Sequence, residues 1–435
     1  MTEPGRLETC EVQFKAIKRS RAIFYGNETA DLDDRTLAAF HTLRTKTTGQ
    51  PAISRLVTMA GYWNINDGYG VSCSLLAQGL HKRNWDLRFK WIENKDSIMQ
   101  SFPDLKYKAE LKEPGDGEVV LAFCMTPSLA MIPQGFKKLI LYFFWESTDY
   151  PKTWGTLLKF CDLILTPSDF CTDVAKRAGA KCPIFNVGLP IGIDNYPYLA
   201  NRSIQGKFKV LFVSSAYERK GFDLVIKSFL EAFPNANEAE LHMHVPNLST
   251  NHWLIAEGKK HSNVIVTRGF LPQHAITAMY HRAHCLVHPA RGEGYGRTPS
   301  EAMLTGLPVI STSVTGLADF VSQKTAYVIE TSGWKPCNHP FYTTGMWAEP
   351  VVGSIVSGLR WTKENYPAAL ERAYAGRQLI LEKNGNDACV SKVDYILQNT
   401  YRLGFGTDFV TDYEKSFGSN AVYKGDTCVE GYFND

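Results

Sequence analysis

Two glutamates and three glycines form the segment of the chain best suited to chemistry. Glu293 and Glu301 are separated by seven residues, in the frame E-GYGRTPS-E. Gly292, Gly294 and Gly296 lack Cβ atoms, so the backbone there can approach a ligand closely. A buried strand precedes this segment and a helix follows it. A strand, a glycine loop and a helix start in this order predict an anion site, because free N–H groups and the positive end of the helix dipole point at a phosphate.

The helix after the glycine loop carries its own start signals. Thr298 is the predicted N-cap, Pro299 takes the first helical position, and Glu301 completes a capping box. A glutamate that caps a helix needs no ligand. Local sequence therefore leaves two interpretations of Glu301 open, a structural cap and a ligand-binding carboxylate.

Two other kinds of ligand site fit the sequence poorly. A dinucleotide site would place an acidic residue at the end of the strand at 308–312, and that strand has none. Asp31 and Asp33 have the Asp-x-Asp spacing of a metal motif, but they lie in the N-terminal extension and not at a strand end. His281, His284 and His288 have helical spacing but straddle a predicted helix end and the next strand. We do not expect their rings to converge on zinc.

The surrounding sequence alternates between apolar, strand-like runs and helical patterns. One helical pattern runs from Val71 to Lys82, with apolar residues recurring on one face. Strands separated by helices pair in parallel through right-handed crossovers. The sequence therefore predicts an α/β fold with two tandem Rossmann-like domains, an N-terminal domain at 51–192 and a C-terminal domain at 208–385.

Three segments complete the predicted organisation. Residues 1–50 form an N-terminal extension, and residues 193–207, rich in Gly, Pro and Asn, form an interdomain linker. Residues 386–435 form a C-terminal helix and tail that we expect to return to the N-terminal domain. Tandem α/β domains bind ligands at strand carboxyl ends and domain boundaries, so the expected site is an interdomain cleft.

Composition excludes several classes of protein. With 435 residues, 44% of them hydrophobic and 21% charged, the chain has enough material for two to four folded domains and is not disordered. The longest apolar stretch, Leu139 to Trp145, is too short to span a membrane. The N-terminus lacks a secretory signal, and the ten cysteines form no Cys-x-x-Cys pair. We therefore expect a cytoplasmic protein with reduced thiols.

The charge balance gives little indication of a partner. A net charge of +3 is too small to predict a nucleic-acid footprint by itself. A single basic stretch, Lys15 to Arg21, carries four positive charges without an acidic residue. It fits either a solvated helix face or a patch that contacts an acceptor or a membrane surface.

The two glutamates and their context resemble a known family. The frame E-GYGRTPS-E, followed by AMLTGLPVISTSVTGLADFV, resembles the signature of the retaining glycosyltransferases of family 4, which have the GT-B fold. The segment VLFVSSAYERKGFDLVIKSF resembles the family's strand, Arg-Lys-Gly turn and helix. Upstream, NDGYGVSCSLLAQGL and FFWESTDYP resemble parts of its N-terminal domain. The resemblance covers about residues 54–400 and implies two Rossmann-like domains facing across a cleft.

The resemblance implies a role for each matching residue of the C-terminal domain. Arg219 and Lys220 match the basic pair that holds the donor diphosphate, whose developing charge needs fixed cations. Glu301 matches the glutamate that binds the nucleotide ribose, and Glu293 matches the residue that holds the donor sugar hydroxyls. Phe270 and Leu271 match the segment that flanks the base. The implied donor site is completed by the glycine-loop backbone of Gly294, Tyr295, Gly296, Arg297 and Thr298.

The N-terminal domain departs from the family at one position. Trp145 and Glu146 fall where many members carry a histidine beside the donor sugar and acceptor, so a histidine-based role does not transfer. We expect Glu146 either to contact or orient the acceptor or to form a salt bridge at a strand end. Gly68 and Gly70 are expected to let the first loop reach the diphosphate or the acceptor.

Together these observations predict a retaining glycosyltransferase that needs no metal or cofactor beyond a UDP- or GDP-linked sugar donor. In the front-face mechanism of the family, the departing phosphate oxygen accepts the acceptor's proton, which agrees with the lack of an evident nucleophile and base pair. The acceptor could be a glycan, a lipid, a protein or a small molecule, and peripheral membrane contact stays open. Two alternatives remain: a glycosyltransferase acting on a modified DNA base, with the basic extension gripping phosphates, and a catalytically silent sugar- or nucleotide-binding module.

Overall fold

The computed structural model describes residues 55–61, 63, 68–91, 119–132, 136, 138–250, 252–337, 339, 342, 344–384, 386–402, 407–417 and 422–423. The N-terminal extension, with Asp31, Asp33 and the basic stretch, lies outside these residues. By its contacts the chain divides into two units. The first contains the chain up to Pro190, residues 337–345 and the chain from Asn386 onward, and the second contains residues 191–336 and 346–385.

The first unit is built on a sheet of parallel strands. Its elements before residue 190 are β1 (Leu56–Gly61), α1 (Gly68–Lys82), β2 (Asp86–Trp91), β3 (Val119–Phe123), β4 (Lys138–Tyr142), α2 (Lys152–Gly155), β5 (Leu163–Thr166), α3 (Asp169–Arg177) and β6 (Ile184–Asn186). The strand order is β6-β5-β4-β3-β1-β2, with every pair parallel. All five residues of β3 are buried, as expected for a strand covered on both faces.

The second unit contains a second parallel sheet. Its elements are β7 (Phe208–Val213), α4 (Phe222–Ala232), β8 (Ala239–Val245), α5 (Trp253–Gly258), β9 (Val264–Arg268), α6 (Gln273–Arg282), β10 (Cys285–His288), α7 (Arg297–Leu304), β11 (Val309–Thr312), β12 (Tyr327–Ile329), β13 (Thr331–Pro336), β14 (Met346–Pro350), α8 (Val352–Glu364) and α9 (Tyr366–Asn384). The strand order is β12-β11-β10-β7-β8-β9, and β13 and β14 form a separate antiparallel hairpin.

The C-terminal elements group with the first unit. They are α10 (Asn386–Arg402), α11 (Thr407–Phe417) and β15 (Val422–Tyr423), which pairs antiparallel with β6. Helix α10 lies against α1 and its following turn, where the Trp85 indole N–H donates to Asp394 Oδ1 at 2.7 Å. Both sheets have the layered α/β organisation that the alternation of strands and helices predicts.

Two segments differ from the simple division drawn from the sequence. Residues 193–207, predicted as a linker, group with the second unit. The buried Arg202 of this segment donates to the carbonyl oxygens of Tyr280, Ala283 and Thr305 at 3.0 to 3.1 Å, which fixes it to that unit. Residues 337–345, which join β13 to β14, group instead with the first unit.

The hydropathy of the helices and the state of the cysteines can be stated for the described residues. No helix in the described ranges is long and apolar enough to cross a bilayer. Within the same ranges the cysteines are free thiols, and Cys337 is the one that is not buried. Burial raises the pKa of the Cys389 thiol to about 12, so this group stays protonated at neutral pH.

The packing of α8 on the second sheet leads to a stability prediction. A Cβ atom at Gly358 would lie 2.7 Å from Tyr327 Cδ1 and 2.8 Å from Ile310 Cγ2. We expect Gly358→Ala to lower the free energy of unfolding by about 1–3 kcal/mol, because overpacking exceeds the gain in helix propensity. Urea denaturation would measure it.

Gly353, on the same helix, provides the matched control. A Cβ there would meet no atom within 4 Å. Gly353→Ala should leave the free energy of unfolding unchanged or raise it by up to about 1 kcal/mol. An unfolding midpoint of Gly358→Ala at or above that of Gly353→Ala would contradict the packing of α8 described here.

Candidate functional site

The carboxylate of Glu293 lies at the centre of a buried charged cluster beyond the carboxyl end of β10. Glu293 is only 5% exposed to solvent. Arg219 Nη1 donates to Glu293 Oε2 at 2.9 Å, and Lys220 Nζ donates to Oε1 at 2.5 Å. His288 Nε2 lies 3.2 Å from the same Oε1. One buried carboxylate thus holds two cations and one imidazole.

The protonation states in this cluster follow from burial and charge. Burial alone would raise the pKa of the Glu293 carboxyl, but Lys220, Arg219 and the hydrogen bond from His288 bring that pKa well below its usual range. Burial lowers the pKa of His288 more than Glu293 raises it. At neutral pH Glu293 is therefore ionised and His288 is neutral, so His288 donates through Nε2–H. Its Nδ1 is buried and has no hydrogen-bond partner among the described residues.

Main-chain contacts bring the two cations to Glu293. Arg219 and Lys220 lie in a one-turn 3₁₀ segment after β7, which ends at Gly221 with φ +70°. A Cβ atom at Gly221 would overlap the carbonyl oxygen of Pro289. The backbone N–H of Arg291 donates to the carbonyl of Arg219 at 2.7 Å. The basic turn and the glycine loop are thus packed backbone to backbone, an approach that only glycine permits.

The start of α7 corrects the predicted helix cap. Helix α7 begins at Arg297, and its N-cap is Gly296 with φ +108°, so Thr298 and Pro299 lie inside the first turn. Thr298 as N-cap, with Glu301 in a capping box, is therefore wrong. The left-handed Gly296 turns the chain into the helix two residues earlier, where a Cβ atom would overlap the Leu317 side chain. A glycine cap offers no side-chain acceptor to the N–H groups of the first turn.

Glu301 lies in a different environment from Glu293. It is buried, and Tyr280 Oη donates to its Oε2 at 3.0 Å. Arg297 Nη1, one helical turn earlier, lies 3.6 Å from its Oε1. Burial raises the pKa of Glu301, against the opposing effects of Arg297, Tyr196 and Tyr280. The structure therefore gives Glu301 partners from α6 and α7, and it joins these helices rather than capping one of them.

Phe270 and Leu271 occupy the turn between β9 and α6. Their exposed fractions are 55% and 38%, and they follow Gly269 with φ +93°. Burial of large apolar side chains is favourable, so an exposed pair can gain free energy by packing against a ligand. Their role beside a nucleotide base stays a prediction.

In the first unit, Glu146 follows the wholly buried Trp145 after β4. The Trp145 indole N–H donates to the carbonyl of Asp149 at 2.8 Å, which fixes the turn that carries Glu146. Tyr342 Oη donates to Glu146 Oε2 at 2.9 Å, and the Tyr342 and Trp145 rings lie 4.9 Å apart. Tyr342 belongs to the 337–345 loop, almost two hundred residues away. No local pattern could have indicated this partner.

Gly68 and Gly70 do not lie in a loop. Both are in the first turn of α1, which begins at Gly68. Gly68 is exposed, and a Cβ atom there would meet no atom within 4 Å, whereas Gly70 is buried. The predicted loop position of these glycines is wrong, because α1 begins at Gly68 and not at Val71, where the predicted helical pattern begins.

The histidines with helical spacing contact three separate parts of the second unit. His281 Nε2 lies 2.9 Å from the carbonyl of Pro197, and His284 Nδ1 accepts from the Lys209 N–H at 2.9 Å. His288 contacts Glu293. Across the residues that the structure describes, no group of three or more His, Cys, Asp or Glu side chains is arranged to hold a metal ion.

Arg291 is a structural residue of the site that the sequence did not reveal. Its buried guanidinium forms a bidentate pair with Asp223 at 2.8 and 2.9 Å. It also donates to both carboxylate oxygens of Glu349, at 3.0 and 3.2 Å, and to the carbonyl of Glu218. One side chain thus joins the glycine loop to the basic turn, to α4 and to β14.

The geometry of Arg291 predicts that lysine cannot replace it. We expect Arg291→Lys to lower the free energy of unfolding by about 1–3 kcal/mol, because an ammonium cannot form the paired contacts of a guanidinium. Thermal denaturation followed by circular dichroism would measure the loss. Lys335→Met removes the exposed partner of the same Glu349 and should change stability by no more than about 0.5 kcal/mol. Equal effects of the two substitutions would contradict this role of Arg291.

Part of the second unit is similar in sequence to known proteins. Residues 200–336 match the family model for glycosyl transferases group 1. A 137-residue segment is 28% identical to the glycogen synthase of Mycobacterium tuberculosis, covering 30% of this chain and 32% of that protein. The match spans about a third of the length of the curated relatives. Arg219, Lys220, Glu293 and Glu301 all lie within the range of the family model.

Solved structures extend the likeness beyond this segment. Sucrose-phosphate synthase from Thermosynechococcus elongatus superposes with a TM-score of 0.60 at 12% identity, over 80% of this chain and 99% of that one. Anabaena HepE, solved in complex with UDP and glucose, gives a TM-score of 0.57 at 13% identity, over 78% and 98% of the two chains. With its two parallel α/β sheets, the chain has the GT-B fold.

Proposed function

We propose that the protein is a retaining glycosyltransferase of family 4 that moves a sugar from a nucleotide-sugar donor to an acceptor hydroxyl. The observation that carries this proposal is the cluster of Glu293, Arg219 and Lys220 on a backbone-packed turn and glycine loop. It lies in the segment that matches the group 1 glycosyltransferase model. Such a cluster combines fixed cations with a carboxylate of the kind that binds sugar hydroxyls.

The two cations are proposed to hold the donor diphosphate. Transfer of the sugar leaves a nucleoside diphosphate, whose additional charge must be stabilised in the transition state. Lys220 is half-buried and Arg219 buried, so their charges are only partly screened by water. The first-turn N–H groups of α7 add further positive potential.

The remaining donor contacts follow from the same segment. Glu293 and the N–H groups of the glycine loop would hold the sugar, Glu301 the ribose, and the exposed Phe270 and Leu271 the base. HepE was solved with UDP and glucose. We therefore propose a UDP-linked sugar as the first donor to test, with a GDP-linked sugar as the alternative.

The proposed reaction is a front-face substitution. The bond between the sugar C1 and the diphosphate oxygen breaks while the acceptor oxygen bonds to C1 from the same face. The departing phosphate oxygen takes the acceptor's proton, so no protein base is required. The chain would supply fixed positive charge at the leaving group through Arg219 and Lys220, and Glu146 would orient the acceptor. The acceptor is proposed to be a glycan, a lipid, a protein or a small molecule.

Substitution of the cluster should abolish turnover without unfolding the protein. We expect Glu293→Gln or Lys220→Ala to lower the release of UDP from a UDP-sugar by about 100-fold or more. Lys260→Ala, which removes an exposed lysine paired with Glu257, serves as the control and should retain activity. Circular dichroism would verify folding. Near-normal turnover in either cluster variant would contradict the assignment of Glu293 and Lys220 to the active site.

The reaction should not depend on a divalent cation. Because Arg219, Lys220 and the α7 N-terminus supply the positive charge, we expect UDP release to persist in excess EDTA. A panel of UDP-, GDP- and ADP-sugars, each tested with EDTA and with added Mg²⁺, would measure this. Activity that EDTA removes and Mg²⁺ restores would show that the cations of the chain are insufficient.

A further inference from the structure

Without a donor, the proposed diphosphate cations already have an anionic partner. Arg219 and Lys220 both pair with Glu293, with side chains only 10% and 19% exposed. A cation removed from water is unstable without a compensating charge. The Glu293 carboxylate therefore supplies the negative charge that a bound phosphate would also supply.

Binding of a diphosphate would change this balance. Phosphate and carboxylate oxygens accept from the same N–H donors, so a diphosphate competes with Glu293 for Arg219 and Lys220. Glu293 is 5% exposed, so little water reaches it to replace the donors that it gives up. A buried carboxylate with fewer donors would then weaken diphosphate binding, unless another group continues to hold it.

His288 is placed to provide that hold. It is 1% exposed, and its Nε2 lies 3.2 Å from Glu293 Oε1. Its imidazole is neutral, so a diphosphate attracts it less strongly than it attracts the cations of Arg219 and Lys220. The main chain of Glu293 is fixed separately, because its N–H donates to Thr315 Oγ1 at 2.8 Å and its carbonyl accepts from Gly316 at 2.9 Å. The carboxylate can therefore exchange donors while its backbone stays in place.

We propose that Glu293 holds Arg219 and Lys220 in position in the empty site, and that His288 is a positioning residue that keeps the Glu293 carboxylate bound when a nucleoside diphosphate takes the two cations. This inference rests on the proposed function, because it assumes that the ligand carries a diphosphate. His288 acts through Glu293 and needs no contact with the ligand. Its effect on binding must therefore vanish when Glu293 carries no charge.

A double-mutant cycle on UDP affinity tests this dependence. Isothermal titration calorimetry with UDP would compare the wild type, His288→Leu, Glu293→Gln and the double variant. We expect Glu293→Gln to bind UDP about tenfold more tightly, since no carboxylate then competes for the cations. His288→Leu should weaken UDP binding about tenfold or more in the wild-type background, and by less than about twofold in the Glu293→Gln background.

His288→Gln is the matched control, because glutamine retains an N–H donor on a side chain of similar reach. It should recover most of the affinity that His288→Leu loses. Equal weakening of UDP binding by His288→Leu in both backgrounds would show a merely structural role and overturn the inference. Binding of UDP without sugar transfer would contradict the proposed function alone. Failure of UDP, GDP and ADP to bind the wild type would overturn both proposals.

The tautomer of His288 gives a second readout, which does not depend on a measured affinity. In ¹⁵N-histidine-labelled protein, with His288→Gln used for assignment, we expect Nε2 protonated and Nδ1 unprotonated at about pH 7 to 8, both before and after UDP is added. A neutral ring protonated only at Nδ1 would be incompatible with donation from Nε2 to Glu293, and a cationic ring would contradict the neutral imidazole on which the inference depends.

Discussion

The pairing of the buried Glu293 carboxylate with Arg219 and Lys220 is the interaction on which the candidate site depends. A carboxylate in this position is stable only if cations meet it, and Arg219 lies more than seventy residues earlier in the chain. The parallel sheet solves this problem, because β7 and β10 are neighbours and their carboxyl ends lie at one edge. Gly221 then lets the basic turn meet the backbone beyond β10, and Arg291 fixes that contact through its hydrogen bonds to the Glu218 carbonyl and to Asp223. The strand order and the glycine together thus make the charge pairing possible.

Much of this could be predicted from the sequence, because it depends on local patterns. The strands at 119–123 and 138–142 are continuous apolar runs, which indicate burial on both faces. The alternation of strands and helices predicted two parallel sheets. Arg219, Lys220 and Glu293 were singled out together through their motifs, and the structure brings them into contact. Each of these features is indicated by a short, continuous stretch of the sequence.

The features that the sequence did not reveal depend on distant or main-chain contacts. Thr298 has the side chain of an N-cap, but the left-handed backbone of Gly296 decides where α7 begins. The linker composition of 193–207 did not reveal that Arg202 would be buried against three carbonyl groups. Tyr342, a hydrogen-bond partner of Glu146, lies beyond the end of the matched family segment. One sequence alone reveals none of these contacts, because the residues near Thr298, Arg202 or Glu146 in the chain do not indicate which distant groups they meet.

The turn that ends at Gly221 also limits how this chain can diverge. Both cations come from consecutive residues of that turn, so one insertion or deletion between Val213 and Gly221 would displace the pair together. Substitution of Gly221 is likewise barred by the Pro289 carbonyl. Natural variation should therefore leave the length of this loop unchanged, and new donor or acceptor preferences should arise at positions free of such constraints. The exposed side chains of Phe270 and Leu271 are such positions.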